Sequence, residues 1–432
     1  MKRFLKKIFV AVMCSSMVFY VSACTNTLNN TSTVKHDKKV NQKKSSITIW
    51  INNKDQNIIK DQINAFNKKY DYITVNTVFM SEDDIIKNYE NNTKDNLKLP
   101  DVVEIGDLSA SKFVNKFSGK LVNLSSDSDI KNDMFLSNKI HNLTKNSRVY
   151  GYPWYTQPVF MFYRSDIMHS LNINTDDIKT WKDYNDLGNK VKQNGKNLIY
   201  LSDLSDIYDV QNSELGVNFL DNNDKINIED NKFKEAASFV FDIIKGNTNI
   251  SIQPGKDITK AFASGEIVSM MSTPEEILYL EKNYPNLKGK VSLERLPAFE
   301  QGGNNTAYKD GMNLLVTDNE KNKTYSEQFA KFVTSNEKAA YNQFSIYALC
   351  SSNSSAYSYD KMHEKNDYMG GCDVYEMYMN AAKMFSDVKY YKDYSDIKNY
   401  IVKEIGSEAA QNKGIDEIIT NMQKTLADRY NK

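Results

Sequence analysis

Three short runs of apolar residues are each followed by polar side chains that could bind a small solute. SITIWI precedes Asn52–Asp55, ITVNTVF precedes Glu82, and DVVEI precedes Asp107. Amides and carboxylates at such positions bind hydroxyl and cationic groups through hydrogen bonds and charge complementarity. The loops supply four candidate ligand-binding residues, namely Asn53, Asp55, Glu82 and Asp107.

The sequence offers little of the machinery of an enzyme. It holds 4 His and 4 Cys, with no H-E-x-x-H, no G-x-S-x-G and no P-loop pattern. We therefore expect no catalytic residue, no cofactor and no metal site. A glycosidase-like pair of carboxylates stays open as the enzymatic alternative, because acidic residues occur throughout the chain.

Composition and charge exclude several classes of protein. With 40% hydrophobic and 12% aromatic residues, the chain can bury large cores, and 432 residues suggest two or three domains. The 55 basic residues balance 55 acidic ones. Because nucleic-acid-binding chains normally show a basic excess, we expect no nucleic-acid partner. Four of the basic residues lie among the first seven, and removing them from the 55 leaves 51 against 55 acidic ones.

The first residues have the three-part layout of an export signal. A cationic segment, Met1–Lys7, precedes the apolar segment Ile8–Tyr20, which is shorter than the about 20 residues that span a bilayer. Val21-Ser22-Ala23-Cys24 resembles the lipobox of bacterial lipoproteins, which implies a signal peptide at 1–23 and palmitate-type acylation of Cys24. The polar residues 24–45 predict a flexible tether on the extracellular face of the cell membrane. A plain signal peptide with an incidental cysteine is the alternative.

Between the candidate loops, the spacing of apolar residues alternates between the pattern of a strand and that of a helix. Ile58, Ile59 and Phe66 recur at helical spacing after the first apolar run, and Glu82–Asn91 predicts a helix after the second. Strand–helix–strand order at this spacing predicts parallel βαβ units. From Asp373 onward the sequence predicts helices only.

The body of the chain carries a series of landmarks in a fixed order. They are ITIWINNKDQ, LPDVV, KLVNL, VYGYPWYTQPVFMFYRSDI, KTWKDY, AFASGEIVSMMSTP, GMNLLVTDNEKNK and GIDEII. In this order they resemble the extracellular solute-binding proteins, family 1, of ABC importers. The resemblance extends over residues 46–432.

The resemblance implies an α/β, two-lobed periplasmic-binding-protein-like fold of type II, in which each lobe is a mixed sheet flanked by helices. It implies one lobe at 46–155 plus 298–347 and another at 158–295 plus 350–432. A three-segment hinge would cross near Tyr155–Pro158, Leu296–Pro297 and Tyr347–Cys350. The implied protein is a monomer that delivers its solute to the transmembrane subunits of an ABC permease.

The resemblance also implies ligand contacts in the hinge and in both lobes. These further candidates are Trp154, Tyr155, Gln157, Asp203, Thr273, Glu275 and Asp310. Because adjacent strand residues point to opposite faces, we expect at most one of Trp154 and Tyr155 to line the cleft, and the sequence leaves open which.

The expected ligand is a small polar solute, with a sugar or oligosaccharide favoured. Many sugar-binding relatives have Trp shortly after the proline that matches Pro274, where this chain has Glu275 and Glu276. A polyamine, an amino-acid-like compound or another cation, bound for sensing instead of import, is the alternative.

Two cysteines remain outside the signal peptide and the lipid site. Cys350 and Cys372 could form a disulfide in an oxidising compartment, or they could be two unpaired buried thiols. The sequence leaves both possibilities open.

Overall fold

The computed structural model describes residues 43–221, 223–391 and 393–431. The predicted signal peptide, the lipidation site Cys24 and the tether up to residue 42 lie outside the described residues. Among the residues described, no helix is both long enough and apolar enough to cross a membrane.

The described residues form twelve strands. They are β1 (Ser45–Asn52), β2 (Ile73–Met80), β3 (Val102–Gly106), β4 (Thr144–Lys145), β5 (Arg148–Val149), β6 (Tyr152–Arg164), β7 (Ile199–Leu201), β8 (Ile250–Ile252), β9 (Ser269–Ser272), β10 (Val291–Glu294), β11 (Ala307–Val316) and β12 (Cys350–Ser351).

Sixteen α-helices lie within the same ranges. They are α1 (Gln56–Lys69), α2 (Glu82–Lys94), α3 (Asp107–Phe117), α4 (Ser128–Lys131), α5 (Ser137–Asn142), α6 (Ser165–Ser170), α7 (Trp181–Gln193), α8 (Leu204–Leu215), α9 (Asn231–Ile244), α10 (Ile258–Ser264), α11 (Glu275–Asn283), α12 (Lys323–Ser335), α13 (Glu337–Tyr347), α14 (Val374–Ala382), α15 (Tyr394–Ala410) and α16 (Ile415–Tyr430).

The first βαβ units form as the apolar spacing predicts. Strand β1 pairs in parallel with both β2 and β3. On α1, Ile58, Ile59 and Phe66 are buried, so the helical stripe packs against the sheet. Ser81 caps α2 by accepting a hydrogen bond from the backbone of Asp84. These elements confirm the predicted α/β class.

A mixed sheet of eight strands organises the described chain, in the order β10-β6-β11-β3-β1-β2, with β9 and β12 also paired to β6. Strand β6 has 13 residues and belongs to two sets of partners. Its first part, up to Val159, pairs with β11 and β12, and its last part, from Phe160, pairs with β9 and β10. The two sheets expected for two lobes are therefore joined through one long strand.

Separate apolar clusters cover the two parts of β6. Trp154 and Tyr155 belong to the core around β1, β3, β11 and α12, whereas Met161 and Tyr163 belong to the core around α7, α8, α9 and α15. Within β6, Gln157 alone is partly exposed, and the other twelve residues are buried. The strand thus passes from one core to the next with one polar side chain open to solvent at the transition.

Candidate functional site

Two cavities among the described residues meet at Gln157 and Glu275, which line both. The larger has a volume of about 340 Å³ and lies between β9, α8 and the start of α11. The smaller, about 270 Å³, lies beside the turn after β1. Gln157 Nε2 donates a hydrogen bond to Glu275 Oε2 at the junction. Parallel strands commonly bind ligands outside their carboxyl ends, where the turn after β1 also lies.

The smaller cavity is built on a turn that the sequence dictates. The Asn52 side chain accepts a hydrogen bond from the backbone N–H of Lys54 at 3.1 Å and so caps the turn between β1 and α1. This turn places Lys54 and Asp55 against the cavity, which Tyr155 also lines. Tyr347, at the end of α13, closes another side.

Asp55 is held by a buried network. It is 3% exposed, and the Tyr155 hydroxyl lies 2.9 Å from each of its carboxylate oxygens. Burial raises the pKa of Asp55, although Lys54 and Tyr155 act in the opposite direction. Glu104, which is 1% exposed, lies within hydrogen-bonding reach of Asp55. Burial and the neighbouring Asp55 charge raise the pKa of Glu104 well above its ordinary value.

Two ion pairs lie at the edges of the cavities. Lys54 Nζ is 2.7 Å from Asp310 Oδ2, and Lys309 Nζ is 2.7 Å from Asp206 Oδ1. Burial opposes the charge on Lys54, but Asp310 and the other nearby carboxylates raise its pKa. Because all four side chains are about 36–45% exposed, the pairs add little to stability. They fix the positions of these charges at the edges of the cavities.

The larger cavity combines apolar and polar walls. Its apolar side is formed by Val159, Val210, Met270 and Met271, with Tyr200 adding an aromatic ring. On its polar side, Glu276 accepts a 2.7 Å hydrogen bond from the Thr259 hydroxyl. Burial raises the pKa of both Glu275 and Glu276. Such a surface suits a ligand that has apolar faces and hydroxyl or cationic edges.

Five of the eleven candidate binding residues line the joined cavities. They are Asp55, Tyr155, Gln157, Thr273 and Glu275. Asp310 lies at the rim, where it pairs with Lys54.

The structure places the other candidates elsewhere. Asn53 is exposed in the turn after β1, and Asp203 caps α8 by accepting a 2.7 Å hydrogen bond from the backbone of Ser205. Glu82 accepts a 3.0 Å hydrogen bond from the backbone N–H of Gly106. None of these three lines either of the two joined cavities.

Two candidates are buried and need correction. Trp154 has no exposed surface, because its ring packs in the core 5.2 Å from the Tyr155 ring, and it cannot contact a ligand directly. Asp107 is used inside the protein. Its Oδ1 lies 2.9 Å from Lys139 Nζ and accepts a 2.9 Å hydrogen bond from Asn313. Since Lys139 is also buried, this ion pair belongs to the interior.

The possible disulfide between Cys350 and Cys372 does not form, and both thiols are free. Cys350 is buried in β12, which pairs with β6 at Thr156. The Cys372 sulfur contacts Met377 Sδ at 3.0 Å instead.

Several residues that shape the site were not among the predicted ones, above all Glu104, Asp206 and Lys309. An acidic residue inside the apolar run DVVEI was a usable signal for Glu104, because a strand that is buried on both faces rarely carries a charge. Asp206 and Lys309 gave no such signal, since their meeting depends on how α8 packs against β11. Within residues 43–221, 223–391 and 393–431, no group of three or more His, Cys, Asp or Glu side chains could hold a metal ion.

A strand shared by two cores, with a solute-sized cavity on either side of Gln157, defines a two-lobed α/β binding protein. Solved structures share this fold. The sugar-binding protein MalE from Xanthomonas citri superposes with a TM-score of 0.75 at 14% identity, covering 89% of this chain and 97% of that one. A binding protein from B. animalis subsp. lactis, solved with β-1,6-galactobiose, gives 0.67 at 18% identity, covering 90% and 98%.

Sequence comparison leads to the family. The chain belongs to the bacterial extracellular solute-binding proteins, whose family model matches residues 61–369. The arabinooligosaccharide-binding protein of Bacillus subtilis is 21% identical over 387 residues, which is 85% of this chain and 88% of the relative. The lactose-binding protein of Rhizobium radiobacter is 23% identical over 260 residues, or 58% and 61%.

Proposed function

We propose that the protein is the solute-binding component of an ABC importer, and that it captures a sugar or oligosaccharide and delivers it to the permease. The observation that carries the proposal is the pair of cavities that meet at Gln157 and Glu275. Their combined size lies within the about 300–1,000 Å³ of small-molecule sites. Relatives named for arabinooligosaccharide and lactose binding support the carbohydrate class.

The chemistry of the walls fits this ligand class. Sugar hydroxyls need acceptors and donors in alternation, which Asp55, Gln157 and Glu275 supply around the junction. The C–H faces of a sugar ring pack on aromatic and thioether surfaces, here Tyr200 and Met270. The bound sugar leaves chemically unchanged in this proposal, since the protein acts by binding and release.

A cationic solute, bound for sensing, is the second candidate function. Glu275 and Glu276 face the larger cavity, and neither forms an ion pair with a lysine, arginine or histidine of the described chain. A ligand with an ammonium group would supply the missing counter-charge.

A thermal-shift and calorimetric screen tests both candidates. The panel contains arabinotriose, lactose, maltose, β-1,6-galactobiose, spermidine and lysine. A ligand at 100 times its Kd stabilises the fold by about 2.7 kcal/mol. The proposal is supported if a saccharide stabilises the wild type and if Tyr200→Leu reduces this stabilisation. Tyr279→Leu is the control and should leave the stabilisation intact, because Tyr279 is 49% exposed and lies outside both cavities. A shift with spermidine or lysine alone rejects the carbohydrate assignment.

The lobe boundaries follow from this function as a further proposal. We place one crossing within β6 near Gln157 and another between Tyr347 and Cys350. The remaining crossing was expected near Leu296–Pro297. Ala298 forms backbone hydrogen bonds with Lys179 and Trp181, which belong to the second lobe, so we favour a crossing later in the chain, at the start of β11. Small-angle scattering with and without ligand tests whether the lobes close about these segments.

Lipid anchoring at Cys24 completes the proposal. It would hold the protein on the extracellular face of the membrane, near its permease. Cys24→Ser should release the protein into the medium and abolish labelling by radioactive palmitate. If the Cys24→Ser protein stayed on the membrane after its signal peptide had been fully removed, lipid anchoring at Cys24 would be rejected.

A further inference from the structure

Glu104 is buried next to Asp55, which lines the smaller cavity. It is the central residue of β3 and is 1% exposed. Its Oε2 accepts a 2.9 Å hydrogen bond from the backbone N–H of Asn52. Its Oε1 has no hydrogen-bond donor among the described protein groups. A buried carboxylate oxygen without a donor is costly, so its surroundings need an explanation.

The carboxyl group of Asp55 lies within hydrogen-bonding reach of Glu104. Two ionised carboxylates repel each other, whereas a carboxyl pair that shares one proton forms a strong hydrogen bond. Asp55 already accepts from the Tyr155 hydroxyl and faces the cavity, while Glu104 is the more deeply buried partner. This difference in burial favours the proton on Glu104 and the negative charge on Asp55.

We propose that Glu104 is a positioning residue whose protonated carboxyl group donates to Asp55 and orients the Asp55 carboxylate toward the ligand. Asp55 then accepts two hydrogen bonds, one from Glu104 and one from Tyr155, on the side of its carboxylate that is turned away from the cavity. Its remaining lone pairs are directed at the ligand in the smaller cavity. The positioning role rests on the proposed function, because it presumes that ligand occupies this cavity.

The charged groups around the pair set the pH at which it acts. Lys54 and Asp310 form their ion pair beside it, and Glu275 faces it across the cavity. The pKa of Tyr155 is raised well above its usual value by burial and the adjacent carboxylates, and that of Lys54 is raised by Asp310. Neither group changes charge between neutral and mildly alkaline pH. A change in that range that Glu104→Gln abolishes therefore reports on Glu104.

Glu104→Gln is the decisive variant in the full chain. Its amide oxygen accepts from Asn52, and its NH₂ group donates permanently to Asp55. At neutral pH we expect arabinotriose to bind this variant within about threefold of the wild type. As the pH rises, wild-type affinity should fall while that of the variant holds. Glu104→Leu, which cannot donate, should lose at least tenfold in affinity at every pH.

Difference infrared spectroscopy on the ligand-free protein separates this inference from the proposed function. A protonated-carboxyl band additional to that of Glu214, which is also protonated at neutral pH, should be present in the wild type and missing in Glu104→Gln. Glu82→Gln is the matched control, because Glu82 is half-buried near the same loops but bonds to Gly106. That substitution should leave the band and its pH dependence unchanged.

Each outcome decides one of the two proposals. If no tested sugar binds the wild type, the proposed function fails, and the infrared band still decides the protonation of Glu104. An unchanged band in Glu104→Gln overturns the inference. So does a Glu104→Gln variant that folds, by circular dichroism, yet binds as weakly as Glu104→Leu. If Glu104→Leu does not fold, the pH profile of Glu104→Gln carries the test alone.

Discussion

Gln157 of β6 and Glu275 of α11 are joined by a hydrogen bond at the point where the two cavities meet. Gln157 lies where the shared strand passes from one core to the other. Glu275 is the first residue of its helix, next to the end of β9. A ligand that fills both cavities must therefore contact this pair or replace its hydrogen bond.

Replacement of Gln157 by alanine should weaken ligand binding with little effect on the free energy of unfolding. Hydrogen bonds to charged groups contribute about 1.5–3 kcal/mol, so Gln157→Ala should raise the Kd for a bound saccharide by about tenfold or more. Isothermal titration calorimetry measures the change. Gln411→Ala is the control, because Gln411 is exposed at the end of α15. Equal affinities for Gln157→Ala and the control would mean that the ligand does not reach the junction.

Gly311 is predicted to be indispensable for the core beneath the site. A Cβ atom at this position would lie 2.4 Å from Lys139 Nζ, 2.5 Å from Asp107 Oδ2 and 2.6 Å from the Tyr155 carbonyl oxygen. Gly311→Ala must displace the buried ion pair or the backbone of β6, and we expect a loss of about 2–4 kcal/mol in unfolding free energy.

Denaturant unfolding measures the effect of Gly311→Ala. Gly119→Ala is the matched control, since nothing lies within 4 Å of a Cβ atom there. A Gly311→Ala protein as stable as this control would show that the Lys139–Asp107 pair adjusts freely.

The two cysteines should react differently with a thiol reagent. Cys350 is fully buried and Cys372 is partly exposed, and neither is in a disulfide. Burial raises the pKa of the Cys350 thiol well above its ordinary value and that of Cys372 to about 11. Alkylation of the native protein should therefore be slow, with Cys372 modified first, and unfolding without reductant should expose both. A peptide pair linked between them in mass spectrometry would contradict the structure.

Local patterns were sufficient for the elements that present the site. The apolar runs predicted β1, β2 and β3, and the 3.6-residue spacing predicted the buried face of α1. The loop after β1 was predicted to bind ligand because its polar residues follow a strand directly. Asp55 lines the smaller cavity as expected for that loop.

The candidate residues that were placed incorrectly are those whose surroundings depend on long-range contacts. Asp107 follows β3 as Asp55 follows β1, but Lys139 from the short helix α5 neutralises it inside the protein. No local pattern reports a partner 32 residues away. The choice between Trp154 and Tyr155 depended on a register shift between β6 and β11, where Met312 pairs with Tyr155 and the next residue pairs with Pro153. Only the assembled sheet shows which ring faces the cavity.

Glu214 of α8 provides a pH test of the core outside the site. It is 1% exposed, and its Oε2 accepts a 3.1 Å hydrogen bond from the indole N–H of Trp181. Burial raises its pKa to about 9, from an ordinary value of 4.5. The folded protein therefore binds a proton at Glu214 that the unfolded chain has released, at every pH between these two values.

Because the folded state holds the additional proton, this group makes stability fall as pH rises from about 4.5 to about 9. The slope is at most about 1.4 kcal/mol per pH unit, so roughly 4 kcal/mol is lost between about pH 5 and 8. Glu214→Gln keeps an acceptor for Trp181 and cannot ionise, so its unfolding free energy should fall less steeply across that interval. Urea unfolding at several pH values measures the difference, with the exposed Glu320→Gln as control. Parallel pH profiles for the wild type and Glu214→Gln would show that Glu214 is ionised in the folded protein.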